Sequence, residues 1–152
     1  MKTRFLTPSL LAMAILFAAP AHAAQSPGGS IQVFKSPTCG CCGLWVEHMK
    51  KAGYTVTTTN TAPSLLARIK RQAGLAPDYQ SCHTGKIAGY VIEGHVPAED
   101  VARLLREKPE AIGLAVPGMP LGSPGMDMGG TKEPYEVLLI RRDGSTEVFA
   151  RH

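Results

Sequence analysis

The sequence predicts a single α/β domain with a mixed β-sheet, a C-terminal β-hairpin and a long loop rich in Gly, Pro and Met. The first half of the chain alternates β-branched runs with runs of helical period, an order typical of parallel strands joined by helices. Gly and Pro then punctuate residues 111–134, which favours a loop. Asp143-Gly144 joins the last two apolar runs, and this dipeptide is typical of hairpin turns.

The N-terminus has the pattern of an export signal. Lys2 and Arg4 precede a nearly all-apolar stretch at residues 5–19, and Ala21-His22-Ala23 is a small-x-small cleavage site. The apolar stretch is shorter than the roughly 20 residues that span a bilayer, which argues against a membrane anchor. We therefore predict a cleaved signal peptide at residues 1–23, a flexible tether at 24–30 and one domain at 31–152, located in the periplasm.

Cleavage after Ala23 leaves 129 of the 152 residues, and the formal net charge falls from +4 to +2 because Lys2 and Arg4 are lost. This length supports one hydrophobic core without disulfide staples. Basic residues are scattered and aromatic residues make up only 6% of the chain, so no segment resembles a nucleic-acid surface. We expect a monomer that binds no nucleic acid and, once the signal is removed, no membrane.

The spacing of apolar residues predicts where the helices and strands of the first half lie. Trp45 and Met49 recur at helical spacing and are expected in the core, and Gly53 ends that helix. Pro63 opens a second helix, which Gly74 ends. The expected elements are a strand at residues 31–34, a helix at 42–52, a strand at 54–59 and a helix at 63–73. Two βα units in succession predict a parallel pair of strands.

The second half of the chain does not repeat the regular βα alternation of the first half. A polar loop at residues 78–86 leads into an apolar run at 87–92, which predicts one buried strand. Pro97, the acidic residues after it and apolar residues at helical spacing predict a helix at 98–107. After the long loop, strands are expected at residues 135–140 and 146–149.

Four cysteines form the most informative motif. Cys39, Cys41 and Cys42 follow the first strand at the start of the first helix, where free amides stabilise thiolates, and Cys82 stands beside His83. Three thiols in four residues exceed what a disulfide switch needs, whereas Cu(I) is soft and accepts bridging thiolates. A structural disulfide framework is a weaker alternative because Cys41 and Cys42 are adjacent. Tetrahedral zinc is also weaker, because it typically uses two separated ligand pairs.

Other donors extend this prediction. His83 is expected to be an imidazole ligand or proton partner of Cys82, and His95 at a strand-to-helix turn stays an open candidate. His48 is expected to be a packed or surface residue and not a ligand. Three methionines lie in the Gly/Pro loop, where thioethers suit copper in an oxidising compartment; a merely flexible loop is the alternative. The predicted metal ligands are Cys39, Cys41, Cys42, Cys82, His83, Met119, Met126 and Met128.

These residues resemble those of two known groups of proteins. Cys39 and Cys42 stand in the register of the C-x-x-C pair in the active-site turn of the thioredoxin-like superfamily, although Cys41 departs from that pattern. Four segments together resemble the CopG-type copper-resistance family, namely residues 36–45, 81–84, 89–97 and 113–120. The resemblance spans residues 31–149 and implies a thioredoxin-like core, a periplasmic location, copper binding and a part in copper tolerance. It also implies that the four cysteines are the metal thiols.

Two functional hypotheses follow. In the first, the domain binds copper, as Cu(I) and also as Cu(II), through the four thiols in a bridged cluster that changes the oxidation state of the metal. Its partners are then copper ions and other periplasmic copper-handling proteins. In the second, the domain is a thiol-disulfide oxidoreductase in which Cys39 attacks, Cys42 resolves, and Cys41 and Cys82 form a second pair. The sequence does not decide between copper carriage, storage and redox chemistry.

Overall fold

The computed structural model describes residues 28–127 and 129–152. The predicted signal peptide and the start of the tether lie outside the described residues. The described chain is a mixed α/β structure with three α-helices and seven strands. These elements are β1 (Ser30–Lys35), α1 (Gly40–Lys51), β2 (Thr55–Asn60), α2 (Pro63–Gln72), a 3-10 turn (Pro77–Tyr79), β3 (His83–Ile87), β4 (Tyr90–Glu93), α3 (Ala98–Glu107), β5 (Ala111–Ala115), β6 (Glu136–Arg141) and β7 (Thr146–Arg151).

All seven strands form one sheet in the order β2-β1-β3-β4-β5-β6-β7. The pairs β1–β2 and β4–β5 are parallel, and the remaining neighbours are antiparallel. The predicted mixed sheet, the parallel first pair and the C-terminal hairpin β6–β7 are therefore confirmed, whereas the thioredoxin-like label stays a prediction. Because β3 pairs with β1, the end of β1 lies beside the start of β3, and both cysteine segments are brought to this edge.

Two predicted boundaries in the second half are wrong. The expected strand at residues 87–92 is interrupted by a turn at Ala88 and Gly89, which have positive φ angles of 48° and 85° and separate the end of β3 from β4. Two consecutive residues of this kind form the turn that suits a tight hairpin. The start of the predicted loop at 111–134 is a strand, β5, whose residues Ala111–Ala115 are mostly buried. The connection between β5 and β6 is therefore residues 116–135.

The helix α1 is anchored through its buried face. Trp45 and Met49 are fully buried in the main core, as the helical spacing predicts. The Trp45 indole Nε1–H donates to the carbonyl of Val96 at 2.9 Å. These contacts fix α1 against the sheet.

The folded domain begins before residue 31. Gly28, inside the predicted tether, is buried, and an added Cβ there would lie 2.5 Å from the ring of Tyr54.

Among the residues that the structure describes, no helix is long and apolar enough to cross a membrane.

Candidate metal centre

The first thiol segment lies in the connection between β1 and α1. After β1, the Cys39 N–H donates to the Ser36 carbonyl at 3.2 Å, and the chain turns directly into the helix. Cys39 is the N-cap of α1 and has extended backbone angles, while Gly40 is the first helical residue. Cys41 and Cys42 follow in the first helical turn. The three sulfurs of this segment are thus placed at the positive end of α1, where negative charge is stabilised.

Two of these cysteines are joined. Cys39 and Cys42 form a disulfide with their Cα atoms 5.4 Å apart, while Cys41 and Cys82 are free. Cys41 Sγ lies 3.5 Å from Cys39 Sγ, so a third sulfur lies directly beside the bridge. The disulfide of the C-x-x-C pair therefore lies next to a free thiol.

Cys82 reaches this segment through sheet pairing. Lys35 at the end of β1 is the register partner of His83 at the start of β3, so Cys82 lies just beyond the end of β1. One sulfur from each of Cys39, Cys41, Cys42 and Cys82 lies within 4.8 Å of the others. The structure thus brings together all four cysteines that the sequence nominated, although 40 residues separate the last two.

A second donor group shares Cys82. Ligand atoms of Cys82, His83 and His95 also lie within 4.8 Å of one another. Cys82 Sγ is 3.3 Å from His83 Nδ1 and 3.1 Å from His95 Nε2. His95 therefore belongs to the site, whereas sequence reasoning left it as an open candidate.

A hydrogen bond assigns the tautomer of His95. His95 Nδ1 lies 2.9 Å from the carbonyl oxygen of Pro124, and since a carbonyl only accepts, this nitrogen carries the proton. His95 Nε2 is then an acceptor for the proton of the Cys82 thiol. His83 Nδ1 is the second ring nitrogen beside Cys82 Sγ, while His83 Nε2 is buried and has no hydrogen-bond partner among the described residues.

Burial keeps this group electrically neutral. Desolvation lowers the pKa of His83 well below its ordinary value, and His95 and Lys70 lower it further. Burial also lowers the pKa of His95, although its bond to Pro124 opposes the shift. Burial, followed by the charge of Cys41, raises the pKa of Cys82 to about 11. Around neutral pH the group is therefore a thiol and two neutral imidazoles, which are the protonation states from which a metal displaces one proton.

The Gly/Pro loop lies against the site. A Cβ added to Gly125 would lie 2.7 Å from the backbone nitrogen of Trp45 and 2.8 Å from the carbonyl oxygen of Cys41. The loop backbone therefore contacts the start of α1. Pro124, the neighbour of Gly125, accepts the hydrogen bond from His95. The segment around residues 124–125 thus covers one side of the thiol segment.

The predicted methionine ligands are less closely defined. Met119 is 51% exposed on the loop after β5, and Met126 is partly buried two residues after Pro124. Met128 lies outside the described residues. Their role as ligands stays a prediction. His48, by contrast, lies outside both donor groups and is partly buried, and its Nε2 accepts the Ala98 N–H at 3.2 Å.

One family model matches part of this chain. A family described as "Protein of unknown function, DUF411" matches residues 79–126, the part of the chain that carries Cys82, His83 and His95. None of the curated proteins compared with this chain matches it.

Two solved structures are similar over most of the chain. The one named "Copper resistance protein copG- Form 1" is 41% identical, covers 81% of this chain and 96% of its own, and has a TM-score of 0.76. The one named "Copper resistance protein copG- Form 2" is 40% identical, with coverages of 81% and 97% and a TM-score of 0.75. Identity of this level over nearly the whole of both relatives shows that the chain belongs to the family of the copper resistance protein CopG.

Proposed function

We propose that this chain is a periplasmic protein of copper resistance that binds Cu(I) through Cys39, Cys41, Cys42 and Cys82. The observation that supports this most directly is the gathering of four sulfurs within 4.8 Å, three from the start of α1 and one from the segment before β3. Cu(I) prefers thiolate ligands and low coordination numbers. The names of the two similar structures refer to copper resistance, which favours copper over zinc as the ion.

The proposed site holds more than one ion. Each thiolate can bridge two Cu(I) ions, and four thiolates so close together favour shared ligands over one isolated ion. The nitrogens of His83 and His95 add donors on the Cys82 side, and His83 Nε2 lacks a hydrogen-bond partner among the described residues. Met119, Met126 and Met128 supply thioethers from the covering loop in this proposal.

The disulfide gives the proposal a redox step. Opening the Cys39–Cys42 bridge takes two electrons and two protons and yields two thiols. In the reverse direction, two thiols reduce two Cu(II) ions to two Cu(I) ions, release two protons and close the bridge. The site would thereby reduce Cu(II) to Cu(I), and an added thiol reductant would supply the electrons and protons that reopen the bridge.

A copper titration of matched variants tests the ligand assignment. Reduced protein is titrated anaerobically with Cu(I) against a competing chelator, beside a variant with all four cysteines replaced by Ser. His48→Gln, which retains a hydrogen-bond acceptor near Ala98 but lies outside the donor groups, is the control. We expect the control to bind like the native protein and the Ser variant to retain no tightly bound copper. Equal binding by the Ser variant contradicts the proposal.

A second candidate function is thiol-disulfide exchange. It is favoured by the position of the Cys39–Cys42 disulfide at the N-terminus of α1, with the free thiols of Cys41 and Cys82 close by. This function requires no metal, so it predicts repeated reduction or isomerisation of protein disulfides in metal-free buffer with an added thiol reductant. Absence of turnover there, together with tight copper binding, leaves copper handling as the function.

A further inference from the structure

A network of charged and polar side chains is buried behind the segment that carries Cys82. Lys70 of α2 is 4% exposed and Glu93 at the end of β4 is fully buried, and the two form an ion pair. Thr84 completes the network, since its hydroxyl accepts from Lys70 Nζ at 2.9 Å and donates to Glu93 Oε2 at 2.7 Å. A buried ion pair contributes little net stability, because desolvation offsets the attraction of the charges. Its position therefore calls for another explanation.

Glu93 also holds the backbone next to Cys82. The Ser81 N–H donates to Glu93 Oε1 at 2.7 Å, and the Ser81 hydroxyl donates to the Gly118 carbonyl. Gly94 lies against the same residue, since an added Cβ there would be 2.6 Å from Ser81 Cβ. Ser81 is thus enclosed by the buried carboxylate, by the loop after β5 and by the backbone of Gly94.

The charges of Lys70 and Glu93 bear directly on the hydrogen bond that holds Ser81. Lys70 Nζ, the Thr84 hydroxyl and the Ser81 N–H all donate to the carboxylate of Glu93. Hydrogen bonds to a carboxylate are stronger than those between neutral groups, and Lys70 supplies the positive charge that balances this acceptor beside the Ser81 N–H. The pair is neutral as a whole, so it adds no net charge beside the thiols.

The thiol site depends on this arrangement because Cys82 is the one cysteine of the four that does not come from the segment at the start of α1. A shift of Ser81 moves Cys82 away from the other three sulfurs. We propose that the Lys70–Glu93 pair is a positioning device that holds Ser81, keeps Cys82 within bridging distance of the α1 thiols and thereby raises the affinity for copper. This inference rests on the proposed copper function.

Two double variants separate the positional role from the charge. Lys70→Met/Glu93→Leu removes both charges and the acceptor for the Ser81 N–H at nearly constant volume, a replacement that buried ion pairs often tolerate. Lys70→Met/Glu93→Gln also removes both charges but retains an amide oxygen for Ser81. We expect the Leu variant to lose about 10- to 100-fold in Cu(I) affinity, the range typical of residues that orient metal ligands. The Gln variant should recover most of this loss.

A separate variant leaves the buried charges intact. Gly94→Ala places a methyl group 2.6 Å from Ser81 Cβ and 2.6 Å from the carbonyl oxygen of Val116, at a φ of +72°. It should therefore displace Ser81, or the start of the loop after β5 that holds Ser81, and reduce the copper affinity in the same way. Gly89→Ala is the matched control, because its φ is +85° but no atom lies within 4 Å of the added Cβ. Thermal unfolding of each variant shows whether it folds. Gly94→Ala thus tests the role of Ser81 even if the double variant with Leu is unstable.

The Cys82→Ser background distinguishes positioning from general destabilisation. If the Lys70–Glu93 pair acts through Cys82, the double variant Lys70→Met/Glu93→Leu has no further effect on copper affinity once Cys82 is replaced. The inference is overturned if folded Lys70→Met/Glu93→Leu and Gly94→Ala bind copper like the native protein, or if they lose affinity equally in the Cys82→Ser background. Failure of the native protein itself to bind copper contradicts the proposed function instead.

Discussion

His95 Nε2 lies 3.1 Å from Cys82 Sγ, although 13 positions separate the two residues in the chain. The other nitrogen of the same imidazole, Nδ1, bonds the carbonyl of Pro124 at 2.9 Å. One side chain therefore joins the distal thiol to the loop that covers the start of α1. We therefore expect a change at the candidate site and a change in the loop to be coupled through this ring.

Replacing His95 tests that coupling. His95→Phe retains a ring beside His83 but removes both nitrogens, so we expect Cu(I) affinity to fall about 10- to 100-fold. The comparison is His48→Gln, which alters a histidine outside the donor groups and should leave the affinity unchanged. Chelator competition and the thiolate-to-copper absorption band report the effect. Native affinity in His95→Phe would mean that the contact with Cys82 has no part in copper binding.

The protonation of Cys82 gives a prediction for metal-free protein. Burial raises its pKa to about 11 from an ordinary value of 9.0, so the folded state holds the thiol proton more tightly than the unfolded state does. The stability that this contributes is present below about pH 9 and is lost as the pH rises through about 11. With the Cys39–Cys42 disulfide intact, alkylation of Cys82 should be slow at neutral pH and half-maximal near pH 11.

Cys41→Ser provides the control for that measurement. The charge of Cys41 adds to the rise in the pKa of Cys82, so its removal should move the midpoint of alkylation to lower pH. Peptide mapping identifies the modified cysteine. A midpoint at or below the ordinary value in the native protein contradicts the buried position of this thiol.

The contact between the loop and α1 predicts an uneven effect of two glycine substitutions. Gly125→Ala forces a Cβ against the backbone of Cys41 and Trp45 at a φ of +86°, so it should destabilise the protein by about 2–5 kcal/mol. Gly129→Ala shares a positive φ of +80° but meets no atom within 4 Å, and it should cost about 1–2 kcal/mol. Denaturant unfolding measures both. Equal effects would show that the loop does not rest on α1.

The redox step predicts a fixed stoichiometry. Addition of Cu(II) to fully reduced, metal-free protein without oxygen should produce two Cu(I) ions for each Cys39–Cys42 disulfide that forms, because disulfide formation releases two electrons. A Cu(I)-specific chelator and a count of the remaining thiols measure the two products. Cys42→Ser cannot close this bridge, and its yield of Cu(I) should fall sharply. An unchanged yield would place the electron donor elsewhere.

Much of the fold was predictable because its signals are local. The helix Ala98–Glu107 was predicted with its observed bounds, since Pro97, acidic residues in the first turn and apolar spacing all agree. The hairpin β3–β4 was missed because its turn uses Ala88, a residue that seldom adopts positive φ, and because His83 and Thr84 are polar yet buried. In β3, sheet pairing with β1 and β4 outweighs the polar composition.

Some residues of the candidate site are predictable from the sequence, and others are found only from the fold. The four cysteines and His83 were nominated from residue type and spacing, which require no knowledge of the fold. His95 could be ranked only after the pairing of β3 with β4 had placed it beside Cys82. Glu93 and Lys70 carry no sequence signal of a link to copper, because their effect passes through a backbone hydrogen bond to Ser81. Such contacts follow from tertiary structure alone.

The most direct test of the central claim is the ratio of copper to protein, measured together with a free-thiol count after anaerobic reduction and loading with Cu(I) or zinc. The account predicts more than one tightly held copper per chain, with all four thiols protected from alkylation and with copper retained in preference to zinc. No retained copper and four freely reactive thiols would contradict it.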